Sequence, residues 1–282
     1  MKTRILVAVI AVPCLVGVIF FLPGFVFAAA VAVIAAVSAR EFLGAAGVKS
    51  RGARIAVPVL AVLMVLLAYL SSLERDSDTF AAIAESVLLL GLLLGLAGYC
   101  RSALHALNTS RTLTYPTYFY VAFLGVLIPT LLASLVRLRE LEYGRLYVLL
   151  PFLAAFVTDG GAYFVGVFFG KHKAFPRVSP KKTVEGCVGG VAVGTAAMCV
   201  YGLILAALGY DVSFWHLLLY GVFGAAATEL GDLAFSLVKR VFGVKDYGSL
   251  LPGHGGMLDR FDSMVLAAPI LCLLVKYFPM LN

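Results

Sequence analysis

Residues 214–238 read FWHLLLYGVFGAAATELGDLAFSLV, an apolar stretch with very few polar interruptions. A helix of this length reaches about 37 Å, more than the roughly 30 Å hydrocarbon core of a bilayer. Glu229, Asp232 and Ser236 interrupt the stretch and Lys239 follows it. Their offsets of three, four and three place them on one face of a helix. Because charges inside a membrane are costly, this stripe predicts a functional site.

The composition extends the membrane interpretation to the whole chain. The 282 residues are 62% hydrophobic and only 13% charged, whereas soluble domains carry about 25% charged residues. We therefore predict an all-α, polytopic integral membrane protein with about nine transmembrane helices. The candidate spans are 5–22, 24–39, 55–73, 80–98, 117–136, 146–169, 186–209, 214–238 and 262–281. The span 24–39 is short, and Pro151 with several glycines suggests a kink or a re-entrant turn in the sixth span.

The positions of lysine and arginine predict how the chain is oriented. With a cytoplasmic N-terminus, seventeen of these residues fall on the inner side and Lys276 lies in the last helix. Only Arg75, Arg137, Arg139 and Arg145 fall outside. This bias follows the positive-inside rule. Although the net charge is +7, basic residues in short loops favour anionic lipid over nucleic acid as the partner.

The same pattern predicts two regions of different character. Residues 1–140 contain generic transmembrane helices, and residues 141–282 form a catalytic transmembrane region. The latter has two polar loops, 170–185 and 239–261, which the orientation places in the cytoplasm. Neither loop is long enough to form a separate soluble domain, so any chemistry must use helix ends and these loops.

Two polar groups precede the stripe. Asp159 and Tyr163 lie one helical turn apart in an apolar segment, where a carboxylate should face the protein interior, a cation or a metal. Lys181 and Lys182 precede the seventh span beside Thr183 and glycines, an arrangement that suits a phosphate site at a helix N-terminus. Structural pairing of Asp159, and ordinary topology-setting lysines, remain alternatives. Thr183 and Glu185 also suit a helix start.

The last polar group follows the stripe. Asp259 and Asp262 lie about one turn apart at the start of the final helix. Carboxylates from two helix ends suit Mg²⁺, which prefers oxygen ligands. His254, between glycines, fits a phosphate contact or a proton-handling role better than Mg²⁺ coordination. The alternative is a set of intramembrane salt bridges between Lys239 or Arg260 and these carboxylates. Together the groups suggest phosphoryl or nucleotidyl transfer, which depends on positioning and neutralising phosphate charge.

A long pattern in this region resembles a known family. Residues 236–262 read SLVKRVFGVKDYGSLLPGHGGMLDRFD, and this run resembles the signature of the phosphatidate cytidylyltransferases, or CDP-diacylglycerol synthases, without a departure. Residues 179–186, SPKKTVEG, and Asp159 with Tyr163 resemble two further family markers. The resemblance covers about residues 145–282. The first 140 residues match only as generic membrane helices.

The resemblance implies a reaction, and its residues follow by position. Phosphatidate and CTP would give CDP-diacylglycerol and pyrophosphate, with one or two Mg²⁺ ions and a monovalent ion left open. Asp232, Asp259, Lys239 and Arg260 would be catalytic. The metal would be held by Asp232, Asp259, Asp262 and Ser236. The substrate-binding residues would be Lys181, Lys182, Ser236, Arg240, Lys245, His254 and Asp159.

The resemblance also implies surroundings for this reaction. The protein would sit in a bacterial cytoplasmic membrane with its site facing the cytoplasm, and a homodimer is left open. Among enzymes, a related CTP-dependent lipid transferase or a polyprenol-type kinase would use a similar site. A cation-coupled transporter is the alternative outside enzymes, although its charges would not gather at one membrane face. The CDP-alcohol phosphotransferases are excluded because Tyr163 stands where their motif has arginine.

Overall fold

The computed structural model describes residues 13–49, 51–73, 117–250 and 255–281, and these are mainly helical. Residues 13–21 form a helical segment before the first complete helix. The complete helices are α1 (Gly24–Ala45), α2 (Arg51–Leu73), α3 (Thr117–Glu140), α4 (Gly144–Tyr147), α5 (Leu149–Phe169), α6 (Val184–Ala207), α7 (Phe214–Val241) and α8 (Leu258–Tyr277). Within the described ranges, five spans are long and apolar enough to cross a membrane: Gly24–Ala45, Arg51–Leu73, Gly144–Phe169, Val184–Ala207 and Phe214–Val241. The prediction of an all-α polytopic membrane protein is confirmed.

Most of the predicted spans agree with helices to within a few residues. For example, α6 replaces the predicted 186–209 and α7 replaces 214–238. The agreement follows because helix length here is set by the thickness of hydrocarbon to be crossed. The predicted span 80–98 lies outside the described residues. The total of nine helices and the side of the N-terminus therefore stay predictions.

The second predicted span is longer than the sequence suggested. We expected 24–39, but α1 continues to Ala45. Phe42 and Leu43, which follow Glu41, are completely buried. Their burial offsets the free-energy cost of including the polar Glu41 in the helix. The helix ends at Ala45, and Gly47 beyond it has a φ of 71°, which permits the donation from Val48 N to Leu43 O at 3.0 Å.

The sixth predicted span consists of the short helix α4 and the helix α5, which a turn at Val148 separates. Pro151 lies in the first turn of α5, where its missing N–H has no intrahelical acceptor to lose. The glycines of this helix instead allow close packing. A Cβ atom at Gly161 would lie 2.7 Å from Val193 Cβ, so α5 and α6 pack with almost no space between them.

The chain divides into two compact units. The first contains Met1–Arg145 and Leu237–Phe261, and the second contains Leu146–Ser236 and Asp262–Asn282. In the first unit α1, α2 and α3 pack against one another. The segment 237–261, which the sequence grouped with the catalytic region, belongs to this unit.

In the second unit α5 and α6 pack along their lengths and are joined by a short hairpin. Its strands are β1 (Lys173–Phe175) and β2 (Ser179–Thr183), which are antiparallel, with Lys173 opposite Thr183. The hairpin occupies much of the polar loop predicted at 170–185. Thr183 then caps α6 by accepting from Gly186 N at 3.1 Å, as the sequence suggested.

Candidate active site

Four polar residues follow one face of α7. Glu229, Asp232, Ser236 and Lys239 lie on this continuous helix at the spacing described above. Glu229 and Lys239 are buried, whereas Asp232 and Ser236 are half-buried. Ser236 Oγ lies 3.4 Å from Asp232 Oδ1, at the long end of hydrogen-bond distances. The stripe therefore presents carboxylates at one end and an ammonium group at the other.

In the second unit, Lys182 binds the acidic part of this stripe. Its Nζ lies 2.5 Å from Glu229 Oε2 and 2.8 Å from Asp232 Oδ2. Burial alone would lower the pKa of the Lys182 ammonium group, but Asp232 and Glu229 act in the opposite direction and raise it above its ordinary value. Lys182 is therefore charged throughout the physiological pH range.

The two adjacent lysines of β2 have different surroundings. Successive side chains of a strand point to opposite sides. Accordingly, the Lys181 side chain is exposed, whereas that of Lys182 is half-buried against the carboxylates. Of the two, Lys181 is the one open to an incoming phosphate, and the Lys182 ammonium group already has two carboxylate partners.

Two more carboxyl groups, those of Asp159 and Asp262, interact with members of this group. Asp159 interacts electrostatically with Asp232, Lys182, Asp262 and Glu229. Asp159 is exposed on α5, and Asp262 is buried on α8. This group therefore has four carboxyl groups and one ammonium group, of which Glu229 and Asp232 contact Lys182 directly. We name this group, Asp159, Lys182, Glu229, Asp232 and Asp262, the acidic cluster.

Glycines of α6 make room for the acidic cluster. A Cβ atom at Gly190 would lie 3.0 Å from both Glu229 Oε1 and Thr158 O. At Gly194 it would lie 2.3 Å from Thr158 Oγ1. Within the described residues, Glu229 Oε1 and Thr158 Oγ1 are buried and have no hydrogen-bond partner. Buried polar atoms of α5 and α7 therefore lie directly against the glycines of α6.

In the first unit, Lys239 and Asp259 form a buried ion pair. Lys239 Nζ donates to Asp259 Oδ1 at 2.9 Å, and the two side chains are 11% and 2% exposed. Asp259 Oδ2 accepts from Tyr247 N at 2.8 Å and from Gly256 N at 2.9 Å. Lys239 Nζ also lies 5.3 Å from the centre of the Tyr247 ring. Asp259 therefore holds both the polar loop and the Lys239 side chain. This contact agrees with the alternative of salt bridges between Lys239 and the carboxylates.

Glu41, which no sequence motif indicated, contacts the same loop. Its Oε1 accepts from Met257 N at 3.0 Å and its Oε2 from Leu258 N at 2.9 Å. The only sequence signal was an acidic residue beside Arg40, just after the predicted span 24–39. Because its partners lie 216 and 217 residues away, hydropathy could not reveal the contact.

The remaining candidates lie in different surroundings. Arg240, Lys245 and Arg260 are exposed, and His254 lies outside the described residues. Asp262 is buried and its Oδ1 accepts from Ser263 N at 2.8 Å. Asp259 belongs to the first unit, whereas Asp232, Ser236 and Asp262 belong to the second. The predicted meeting of Asp232 with Asp259 stays a prediction.

The acidic cluster has the donor chemistry of a hard-cation site. Carboxylate oxygens are preferred ligands of Mg²⁺, and the excess of acidic groups over Lys182 favours a further cation. In the described part of the chain, however, no three His, Cys, Asp or Glu side chains are already arranged around a common metal position. The residues fit Mg²⁺ by charge and donor type, while ligand geometry would have to form on binding.

Membrane-length helices that carry buried lysine–carboxylate contacts define an integral membrane protein with a polar, charge-rich site. Its family is shown by sequence. The chain belongs to the cytidylyltransferase family, whose family model matches residues 2–278. This match also covers the N-terminal region, which by resemblance alone had seemed generic.

Individual relatives carry a more specific name. The chain is 36% identical over 169 residues to a phosphatidate cytidylyltransferase of Bacillus subtilis, covering 60% of this chain and 62% of that protein. It is 44% identical over 132 residues to a phosphatidate cytidylyltransferase of Staphylococcus saprophyticus, covering 47% of this chain and 50% of that protein. The corresponding Staphylococcus aureus protein is 43% identical over 132 residues. The alignments thus span less than two thirds of these relatives.

Proposed function

We propose that this chain is a phosphatidate cytidylyltransferase. An anionic phosphate oxygen of phosphatidate attacks the α-phosphorus of CTP and forms a new P–O bond. The bond from the α-phosphorus to the oxygen that bridges it to the β-phosphorus breaks, and pyrophosphate leaves with that electron pair. The products are CDP-diacylglycerol and pyrophosphate. Since the attacking oxygen is already anionic, the step needs no strong general base.

The observation that carries this proposal is the polar stripe of α7. A membrane-length helix here carries Glu229, Asp232, Ser236 and Lys239 on one face, and ion pairs engage both of its ends. Such groups are costly in a bilayer and are retained where they serve a function. A lipid whose tails stay in hydrocarbon and whose phosphate must meet a nucleotide requires a charged site at this location.

The basic residues have distinct roles in this proposal. The exposed Lys181, Arg240, Lys245 and Arg260 are accessible to the CTP triphosphate and neutralise its charge. Lys239 is buried against Asp259 and holds the first turn of α8, which contains Arg260. Lys182 orients Glu229 and Asp232 and can exchange a carboxylate partner for a phosphate oxygen.

We also propose that the reaction depends on Mg²⁺. Asp232 and Asp262, with Ser236 as a neutral oxygen donor, would hold the ion, and Asp259 is the further predicted ligand. The bound ion would neutralise phosphate charge as pyrophosphate separates. Asp259 is the least available of these residues because its two oxygens already accept three donors.

The proposed site faces the cytoplasm of a bacterial inner membrane. Support comes from the distribution of lysine and arginine along the sequence and from the bacterial relatives. CTP is made in the cytoplasm, and the basic loops would concentrate both anionic substrates at that face. The homodimer stays an expectation from the family resemblance.

A direct assay tests this function. The purified protein in phosphatidate-containing liposomes is incubated with CTP labelled in the cytosine ring, with and without Mg²⁺. We expect a labelled CDP-lipid and one pyrophosphate per turnover. Replacing phosphatidate by diacylglycerol, or CTP by ATP, should remove the product. A phosphorylated alcohol would instead identify a lipid kinase, and ion flux without turnover would identify a transporter.

A further inference from the structure

Glu41 caps a helix that starts more than two hundred residues later in the chain. Helix α8 begins at Leu258, and the first N–H groups of a helix have no acceptor within it. Glu41, on α1, supplies one oxygen to Met257 N and the other to Leu258 N, at 3.0 Å and 2.9 Å. A carboxylate at this position is also favoured by the helix dipole. An N-terminal helix thus holds the start of α8.

Two glycines bring the backbone of the polar loop directly against this carboxylate. A Cβ atom at Gly248 would lie 2.4 Å from Glu41 Oε1, and one at Gly256 would lie 2.4 Å from Glu41 Oε2. Neither glycine has a positive φ. Their lack of a side chain therefore serves the close approach of Glu41 and not a special backbone conformation.

Asp259 holds the same backbone through different donors. Glu41 binds the N–H groups of Met257 and Leu258, while Asp259 binds those of Tyr247 and Gly256 and also the Lys239 ammonium group. Phe42, the neighbour of Glu41, packs its ring 6.2 Å from that of Tyr247. All of these residues belong to the first unit. Two carboxylates therefore share the task of fixing one loop.

We infer that Glu41 is a positioning residue for the reaction, acting through residues 247–250 and 255–258 on Asp259 and Lys239. This inference rests on the proposed cytidylyl transfer. It adds to that proposal a residue of α1, outside the region 145–282 that carries the family resemblance. Glu41 does not touch the reacting phosphates in this assignment. It keeps Asp259 and the backbone around it in one arrangement before substrates arrive.

The first experiment compares Glu41→Gln with Glu142→Gln, which alters an exposed glutamate outside the site. Gln keeps the size of Glu41 but places an NH₂ group against a backbone N–H donor. We expect kcat to fall by about 100-fold, as for a small displacement of catalytic groups. KM for CTP should change less than about 3-fold and the unfolding midpoint little, since substrate contacts and the core are retained. A kcat within about 3-fold of wild type would overturn the inference.

A double-mutant cycle tests the direct contact. The three atoms nearest to an added Cβ at Gly248 all belong to Glu41. Gly248→Ala should therefore lower kcat when Glu41 is present, yet add less than about 3-fold in the Glu41→Ala background, where space is free. Independent effects of the two substitutions would show that Glu41 does not act through this loop.

Amide hydrogen exchange tests the role of Glu41 independently of the reaction. If the wild-type protein makes no CDP-lipid, the proposed function fails, and exchange still tests the role of Glu41. In Glu41→Gln the amides of Met257 and Leu258 should exchange at least about 10-fold faster, as expected when a hydrogen bond to a charged acceptor is lost. The amides of Glu142→Gln should exchange at the wild-type rate. Unchanged protection in Glu41→Gln would overturn the inference whatever the activity.

Discussion

Lys182 Nζ lies between two carboxylates of one helix, 2.5 Å from Glu229 Oε2 and 2.8 Å from Asp232 Oδ2. The lysine is on the last part of β2, and 47 residues separate it from Glu229. Asp159 and Asp262 add further negative charge. The balance of this acidic cluster therefore depends on a single lysine among its members.

Lys182→Met should destabilise the protein. The substitution leaves Glu229 buried without its ammonium partner, and loss of one member of a buried pair costs about 3–5 kcal/mol. The measurement is the unfolding midpoint of the purified protein in detergent. Lys181→Met is the matched control for stability, because the adjacent side chain is exposed and its loss should change stability by less than about 0.5 kcal/mol. Equal midpoints for the two variants would contradict the structural role of Lys182.

Asp259→Asn should abolish most activity and loosen the loop. An amide in place of the carboxylate removes the charge that pairs with Lys239, and it can turn an NH₂ group toward the N–H donors of Tyr247 and Gly256. We expect kcat/KM to fall by at least about 100-fold. Asp211→Asn, in an exposed position outside the site, is the control and should be active.

The Mg²⁺ dependence of Asp259→Asn separates two roles of this residue. If Asp259 holds the ion, residual activity should require a higher Mg²⁺ concentration for half-saturation. If Asp259 acts only by fixing the loop and Lys239, that concentration should match wild type while kcat is lowered. Wild-type kcat and Mg²⁺ requirement together would remove Asp259 from the site.

Gly190→Ala should separate α5 from α6 and disturb Glu229. The added methyl would lie 2.9 Å from Ala162 Cβ and 3.0 Å from Glu229 Oε1, closer than packed atoms allow. Overpacking of this kind costs about 1–3 kcal/mol. Gly160→Ala on α5 is the control, because nothing lies within 4 Å of its Cβ and helix propensity should favour alanine. Unfolding midpoints of the two variants in detergent give the comparison, and a stable Gly190→Ala would contradict the close packing.

Hydropathy predicted the helices because each one must cover hydrocarbon, and this requirement is visible in a local window. It failed at α1, where the predicted span stops at residue 39, before Arg40 and Glu41, although the helix continues to Ala45. The energetic reason for retaining Glu41 is its contact with Met257 and Leu258, which no local window contains.

In the candidate site too, the sequence predicted the local features and missed the contacts between distant residues. Offsets along α7 predicted that Glu229, Asp232, Ser236 and Lys239 share a face, because helical periodicity is a property of one segment. The partners of these residues could not be read in this way. That Lys182, and not Lys181, enters the acidic cluster depends on the register of the hairpin β1–β2, which the apolar pattern does not specify.

Mg²⁺ should bind the protein in the absence of CTP, because the acidic cluster has more carboxyl groups than Lys182 can balance. A ligand that binds only the folded state stabilises it, by about 2.7 kcal/mol at one hundred times its Kd. EDTA-treated wild-type protein should therefore unfold at a higher temperature after Mg²⁺ is added, and the same treatment should remove and restore CDP-lipid formation. Asp262→Asn should reduce this thermal shift, whereas Asp211→Asn, outside the cluster, should keep it. A full shift in Asp262→Asn would remove Asp262 from the ion site. If the wild-type protein itself shows no shift without CTP while EDTA still abolishes turnover, the ion binds with its nucleotide and not through the acidic cluster.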